Sequence, residues 1–329
     1  MTMRQRVSVI AAVGLAAAVA VGCGKDKGNG AGGGGGGGAA GAAAASRSAF
    51  DLFPSTTRMI FGMNFASLTK SKIWADLEKF ATQQAGDDIA KFKATCGMDP
   101  FTIVQSVVVG ADPKDDKSAV VVVKGDLDRA KILDCAKKVA AQDGETVDIE
   151  EDGKIVGIKA DGKTHYLAWL DDHTIVTGPR AENNKQALKD LIAAKDSITA
   201  NKEFMALVNN TDPKATFWGA GYIPADAAGG GPRPKAVYGS VDMASGLKVD
   251  VVAQFETADD AKMTADQANQ MMGMAKADPT MGKFVSKLSI AAADKDLQIK
   301  ANFSDAEVGE LIDLVKKQLP MMMMMGAGH

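Results

Sequence analysis

Five consecutive apolar residues, Ala119-Val120-Val121-Val122-Val123, constrain the fold of this chain more than any other stretch. β-Branched side chains favour extended backbone, and successive side chains of a strand point to opposite faces of its sheet. A strand that is apolar at every position needs cover on both faces, so this run predicts a central strand. Val104 to Gly110 precedes it, and the polar Asp112-Pro113-Lys114-Asp115-Asp116 stretch between them predicts a hairpin.

Shorter runs of the same kind recur on both sides. Arg58 to Phe65 predicts a first strand, followed by helical spacing at Ile73, Leu77, Phe80 and Ala81 and again at Ile89, Phe92 and Cys96. After the central strand, Asp126 or Asp128 caps a helix with Ala130, Leu133, Ala136 and Ala140 on one stripe. Asp152-Gly153 and Asp161-Gly162 then divide Val147 to Leu170 into three strands, because Asp-Gly supplies the positive φ angles of tight hairpins. Thr174 to Thr177 makes a fourth, and a helix over Ala181 to Ala194 ends this half.

From Thr216 the order begins again. A strand runs to Ile223, and a Gly/Pro-rich loop from Ala225 to Pro234 leads to a hairpin of Val237 to Met243 and Leu247 to Phe255. Thr257 with Asp260 opens a helix, Lys287 to Ala292 and Leu297 to Phe303 form another hairpin, and Ser304 with Glu307 makes a capping box. Val308, Leu311, Ile312, Val315 and Leu319 give that last helix the clearest stripe in the chain, and Pro320 ends it. Hairpins alternating with separate helices predict an α+β fold. Its sheets are antiparallel, its helices are segregated to one face, and its two pseudo-repeated halves cover residues 50–200 and 201–320.

Residues 1–22 read as a signal peptide: Arg4 and Arg6, then an apolar run from Val7 to Val21 closed by small residues. The run is shorter than the roughly 20 residues a helix needs to cross a bilayer core. Gly22-Cys23 follows, and this resembles the bacterial lipobox, with Cys23 as the acylated first residue of the mature chain; Ala20 stands where Leu is usual. Residues 23–49 form the tether, whose seven glycines from Gly32 to Gly38 give it no route to a packed structure. Acyl chains held by about 0.8 kcal/mol per buried CH₂ make the membrane the first expected partner. By the same resemblance, Gly24 after the cysteine implies the outer membrane.

Cys96 and Cys135 are the remaining cysteines, and an even pair in an oxidising compartment invites a disulfide. The alternative is two buried thiols that never meet, since spacing alone does not fix a Cα distance. Acidic and basic residues nearly cancel, 41 against 38, and form no basic block of the kind that binds nucleic acid.

The chain has no Gly-x-Ser-x-Gly elbow, no His-Glu-x-x-His and no phosphate loop, so no catalytic residue, metal ligand or cofactor is assigned and no enzymatic role is expected. His165 falls in a strand and His173 in a turn behind Asp171 and Asp172, where an exposed turn outweighs a metal site. The tail at 321–329 offers Met321 to Met325 and His329, soft ligands suited to Cu(I), though it equally suits packing on the domain. Met263, Met271, Met272, Met274 and Met281 are expected to fill core, with an adaptable apolar surface as the alternative.

The lipobox, the glycine tether, the Cys96-Gly97-Met98-Asp99-Pro100 turn and the paired hairpin-helix order together resemble uncharacterised Gly-tethered lipoproteins of myxobacteria and related Gram-negative bacteria. The resemblance implies an envelope lipoprotein and brings no ligand or site residue with it. The expected role is binding or scaffolding, with an envelope protein or an apolar ligand as partner.

Overall fold

The computed structural model describes residues 49–314, apart from 86–87, 143, 145, 161 and 225–230. Its strands join one antiparallel sheet. The first half supplies β1 (Met59–Asn64), β2 (Val104–Asp112), β3 (Asp115–Gly125), β4 (Asp148–Asp152), β5 (Ile155–Ala160), β6 (Lys163–Asp171) and β7 (Thr174–Thr177). The second supplies β8 (Phe217–Tyr222), β9 (Ala236–Asp242), β10 (Leu247–Gln254), β11 (Leu288–Ala293) and β12 (Asp296–Phe303). Among the described residues four helices separate β1 from β2: α1 (Phe65–Leu68), α2 (Trp74–Ala85), α3 (Asp88–Cys96) and α4 (Pro100–Ile103). Then come α5 (Arg129–Gln142), α6 (Lys185–Ile192), α7 (Lys202–Asn209), α8 (Ala258–Lys276) and α9 (Gly282–Val285). A last helix occupies residues 305–314.

The strand order across the 12-stranded sheet is β11-β12-β10-β9-β8-β1-β2-β3-β7-β6-β5-β4. The two halves meet where β1 pairs with β8, Ile60 opposite Ala220. Outward from that seam one side runs β1-β2-β3-β7-β6 and the other β8-β9-β10-β12-β11. The first half differs by the added β4–β5 hairpin at its edge and by the four helices inserted after β1.

Helices pack on both faces of this sheet, not on one. Odd and even positions of the apolar strands divide between separate cores: Val120 and Val122 join one cluster, Val121 and Val123 another. Ile155 and Val156 part in the same way. On the back face, Phe50 to Phe53, Leu188 of α6 and Phe204, Leu207 and Val208 of α7 cover strands of both halves in the largest core. On the front face, Leu133 of α5 packs on Val156, Ile158, Leu167 and Trp169, while Ala261 and Ala265 of α8 pack on Ala253 and Leu297. Doubly apolar strands leave no face that water can cover cheaply, which is why one layer of helices is not enough.

Local chemistry places the ends of these elements. Asp128 accepts from the Lys131 amide at the start of α5, Thr257 from Asp260 at the start of α8, and Ser304 and Glu307 form the reciprocal box of the last helix. Gly153 and Gly162 take φ of 59° and 74° in the two hairpin turns. The helix expected from Ala181 begins at Lys185 instead. Pro179–Ala181 forms a 3₁₀ turn, and Asn184 caps α6 by accepting from the Ala187 amide.

Candidate functional site

The seam strands are apolar at both parities. On the back face Ile60, Trp218 and Ala220 are buried in the large core. On the front face the opposite set, Met59, Phe61, Phe217, Gly219 and Gly221, has no described helix laid directly over it. Register fixes two transverse rows there: Val109, Phe61, Gly219 and Gly239, then Ala111, Met59, Gly221 and Val237. Phe61 and Met59 are each 42% exposed, and Phe61 stacks on Phe217 with ring centroids 6.0 Å apart. Glycine beside phenylalanine makes a step in the floor, and no ionisable side chain belongs to either row. The result is an apolar trough.

Two helices wall it. α5 stands over the β2–β3 side, where Ile132 and Phe65 pack with Val107, Val121 and Val123. α8 packs chiefly over the β11–β12 hairpin at the sheet edge, and Val237 of the second row packs against the core it forms with Ala253 and Leu297. The spacing of α8 decides where its methionines point. Asn269 donates to the Ile290 carbonyl on the edge strand β11, so that flank points outward. Because Ala261 and Ala265 face the sheet, Met263 and Met274 lie on the far side of the helix towards solvent, and Met271 leans to the side away from Asn269.

Met263, Met271 and Met274 are 53%, 58% and 68% exposed. This corrects the expectation of core filling. The buried arc of α8 is taken by Ala261 and Ala265, small enough to bring the helix close to the sheet, and these longer methionines are left outside it.

At the end of the trough near Asn64 and Phe303, α1 and α2 cross the front face. Phe65 packs beside β2 and β3, and Ile73 packs with Leu247, Val249 and Phe303. Cys96 at the end of α3 lies at disulfide distance from Cys135 of α5, with Cα atoms 4.9 Å apart, and Thr95 donates to Gln142 beside it. Trp74 meets Phe101 of α4 edge to face at 5.1 Å. These links tie the crossing segment to the α5 wall. A cleft of about 450 Å³ opens between α2 and the last helix, lined by Lys72, Asp76, Asp305, Ile312 and Asp313.

Of the residues singled out by sequence, Cys96 and Cys135 come together. His173 uses Nδ1 against the Gly125 carbonyl at 3.0 Å, and the backbone of His165 forms an isolated antiparallel β-bridge with Glu182. Among the described residues no group of three or more His, Cys, Asp or Glu is placed to hold a metal ion. Cys23, the tether at 23–48, residues 225–230 of the long loop, and the tail with Met321 to Met325 and His329 lie outside the described residues. Among the described residues no helix is long and apolar enough to cross a membrane. Phe61, Met59 and Phe217 were not expected as a site. The available signal was Met59-Ile60-Phe61-Gly62-Met63, a strand apolar at both parities.

No protein-family model matches the chain, and no curated protein matches it. Among solved structures it is similar to TP0453 in crystal form I, with a TM-score of 0.46 and 9% identity over 80% of this chain and 95% of that one. Crystal form III of TP0453 gives 0.42 and 9%, over 80% and 96%.

Proposed function

We propose that the chain is a membrane-anchored lipoprotein of the cell envelope that acts by binding, without catalysis, through the front-face trough. The observation that carries this is the exposure of Met59 and Phe61, each 42%, in two strand rows that carry no ionisable side chain. Apolar surface left in water costs about 25 cal/mol per Å², and a contiguous patch of it marks an interaction site. The anchor rests on the signal-like residues 1–22 and on Cys23, and Gly24 beside it supports an outer-membrane location. Phe50 is buried in the back-face core, edge-on to Trp218, so the described chain begins on the side away from the trough. That arrangement supports a trough free to meet something other than the anchor.

The chemistry of the floor favours an apolar ligand such as an acyl chain over a flat protein surface. Phe61 and Met59 present a phenyl ring and a thioether side by side, and thioethers adapt to irregular apolar shapes. Fractionation of cells expressing the native protein, with the intact mass of the mature chain, tests the anchor. The expected species begins at acylated Cys23 in the outer-membrane fraction; a non-acylated mass removes both anchor and location. Native mass spectrometry of that material tests the ligand. A co-purifying lipid that is lost in Phe61→Glu is expected, and a bare protein mass in the native chain overturns the apolar-ligand reading.

A further inference from the structure

The three most exposed large apolar side chains among the described residues belong to one helix: Met274 at 68%, Met271 at 58% and Met263 at 53%, all on α8. Ala261 and Ala265 fix the direction in which this helix meets the sheet. At about 100° per residue, Met263, Gln267, Gln270 and Met274 fall within about 40° of the opposite direction. All four are exposed, and Met271 flanks them. Their spacing of four, three and four residues is that of the seam along which two helices pack side by side. Lys262 and Asp266 lie off this line, so the seam itself carries no charge.

We propose that α8 docks on α8 of a second copy of this chain, antiparallel, along Met263, Gln267, Gln270 and Met274. The seam reads Met-Gln-Gln-Met in either direction, so an antiparallel partner sets each thioether against a thioether and each central amide against an amide. Thioethers gain by leaving water, and facing carboxamides satisfy each other while fixing the register. Charge selects the same direction. The first turn of α8 carries Asp259 and Asp260, and its last turn Lys276. An antiparallel pair brings the acidic turn of one copy beside the basic turn of the other and opposes the two helix dipoles, whereas a parallel pair sets like charge on like. Asp278, just past the last turn, is already occupied, because its carboxylate accepts from the Thr280 and Met281 amides. The contact is isologous, with a two-fold axis between Gln267 and Gln270 that closes it at two copies. α8 has 19 residues and a length of about 28 Å. A pair of such helices buries less than the roughly 1,200 Å² of a standard interface, so a reversible dimer that half-forms at about 10–100 μM is expected. The pair is independent of the trough, since its seam is on the side of α8 that faces away from the sheet.

The test uses residues 23–329 with Cys23→Ser, so that no acyl chain contributes to association. Sedimentation velocity from about 1 to about 300 μM should show the mass rising towards twofold. The double variant Met263→Lys, Met274→Lys should stay at one copy throughout; both positions are exposed, and its circular dichroism should match the parent chain. A parent chain that stays at one copy, or a folded variant that still doubles, overturns the proposal. Register is read by cross-linking. Met263→Cys mixed with Met274→Cys should form a disulfide between positions 263 and 274, identified by peptide mass. In the proposed register the two copies of position 263 lie about 16 Å apart along the axis. A disulfide needs Cα atoms within about 7 Å, so Met263→Cys alone should cross-link at least about tenfold less. Equal yields from the mixture and the single variant mean a face that sticks without register, and refute the antiparallel pair. Flotation with phosphatidylcholine vesicles completes the test. A parent chain that floats while the double variant stays behind has a membrane as its occupant, which also sinks the proposal.

Discussion

A Cβ added to Gly62 would stand 2.1 Å from Cε2 of Trp218, and one added to Gly110 would stand 2.4 Å from Cδ1 of Phe53. Both rings belong to the back-face core and neither is the far end of a flexible chain. Gly62→Ala and Gly110→Ala are each expected to lower the unfolding free energy by about 1–3 kcal/mol through overpacking, read from urea midpoints. Gly273 is the control: a Cβ added there would meet nothing within 4 Å, and alanine at that position should raise the stability of α8 by up to about 1 kcal/mol. Charge acts at the same scale. The Lys287 ammonium, then the Ser304 amide and hydroxyl, hold Glu307 down from 4.5 to about 2. A depressed carboxyl contributes stability that is complete above its unfolded value and is lost as pH falls through the folded one. The capping contribution should therefore fade between pH 4.5 and about 2, and Glu307→Gln should flatten that part of the urea-midpoint profile.

The crossing segment of α1 to α4 depends on the link between Cys96 and Cys135, which are 39 residues apart in sequence. Closing a loop of that size constrains the unfolded chain by about 4 kcal/mol on the entropy model, so Cys135→Ser should lower the urea midpoint to match reduced native protein. Element identity was legible where local chemistry decides it. β-Branched runs gave β2, β3 and β10, Asp-Gly gave the turns around β5, and Thr257 and Ser304 gave two helix starts. The short helices α1, α4 and α9 were not legible, because four residues show no period. Nor was the placement of helices on both faces, although Ile155 beside Val156 already required it. The site was hidden for a related reason: the exposure of Met59 and Phe61 depends on where the front-face helices come to rest on the sheet, which spacing alone does not give.

Across the whole molecule the acidic hairpin at one edge is held from both faces. Arg129 of α5 pairs with Glu151 and donates to the Gly153 carbonyl at 2.8 Å, while Lys185 and Lys189 of α6 reach Glu150 and Asp152 from the other side. These pairs are largely exposed and each contributes little alone, so screening by salt should loosen β4 before the sheet centre. Hydrogen exchange at about 1 M salt is expected to rise in residues 148–152 and to stay unchanged in β1 and β8. The opposite edge is guarded differently, by Asn269 reaching the Ile290 carbonyl. The centre of the sheet is the place where sequence distance is greatest, for β1 waits on β8. A chain made from its N-terminus completes residues 59–64 long before residues 217–222 follow. Until then β1 presents an open hydrogen-bonding edge flanked by Phe61 and Met59, the kind of exposed strand that sticks to other chains. Synthesis from one end thus gives this protein a vulnerable interval before its halves join, centred on the very strand that later floors the trough.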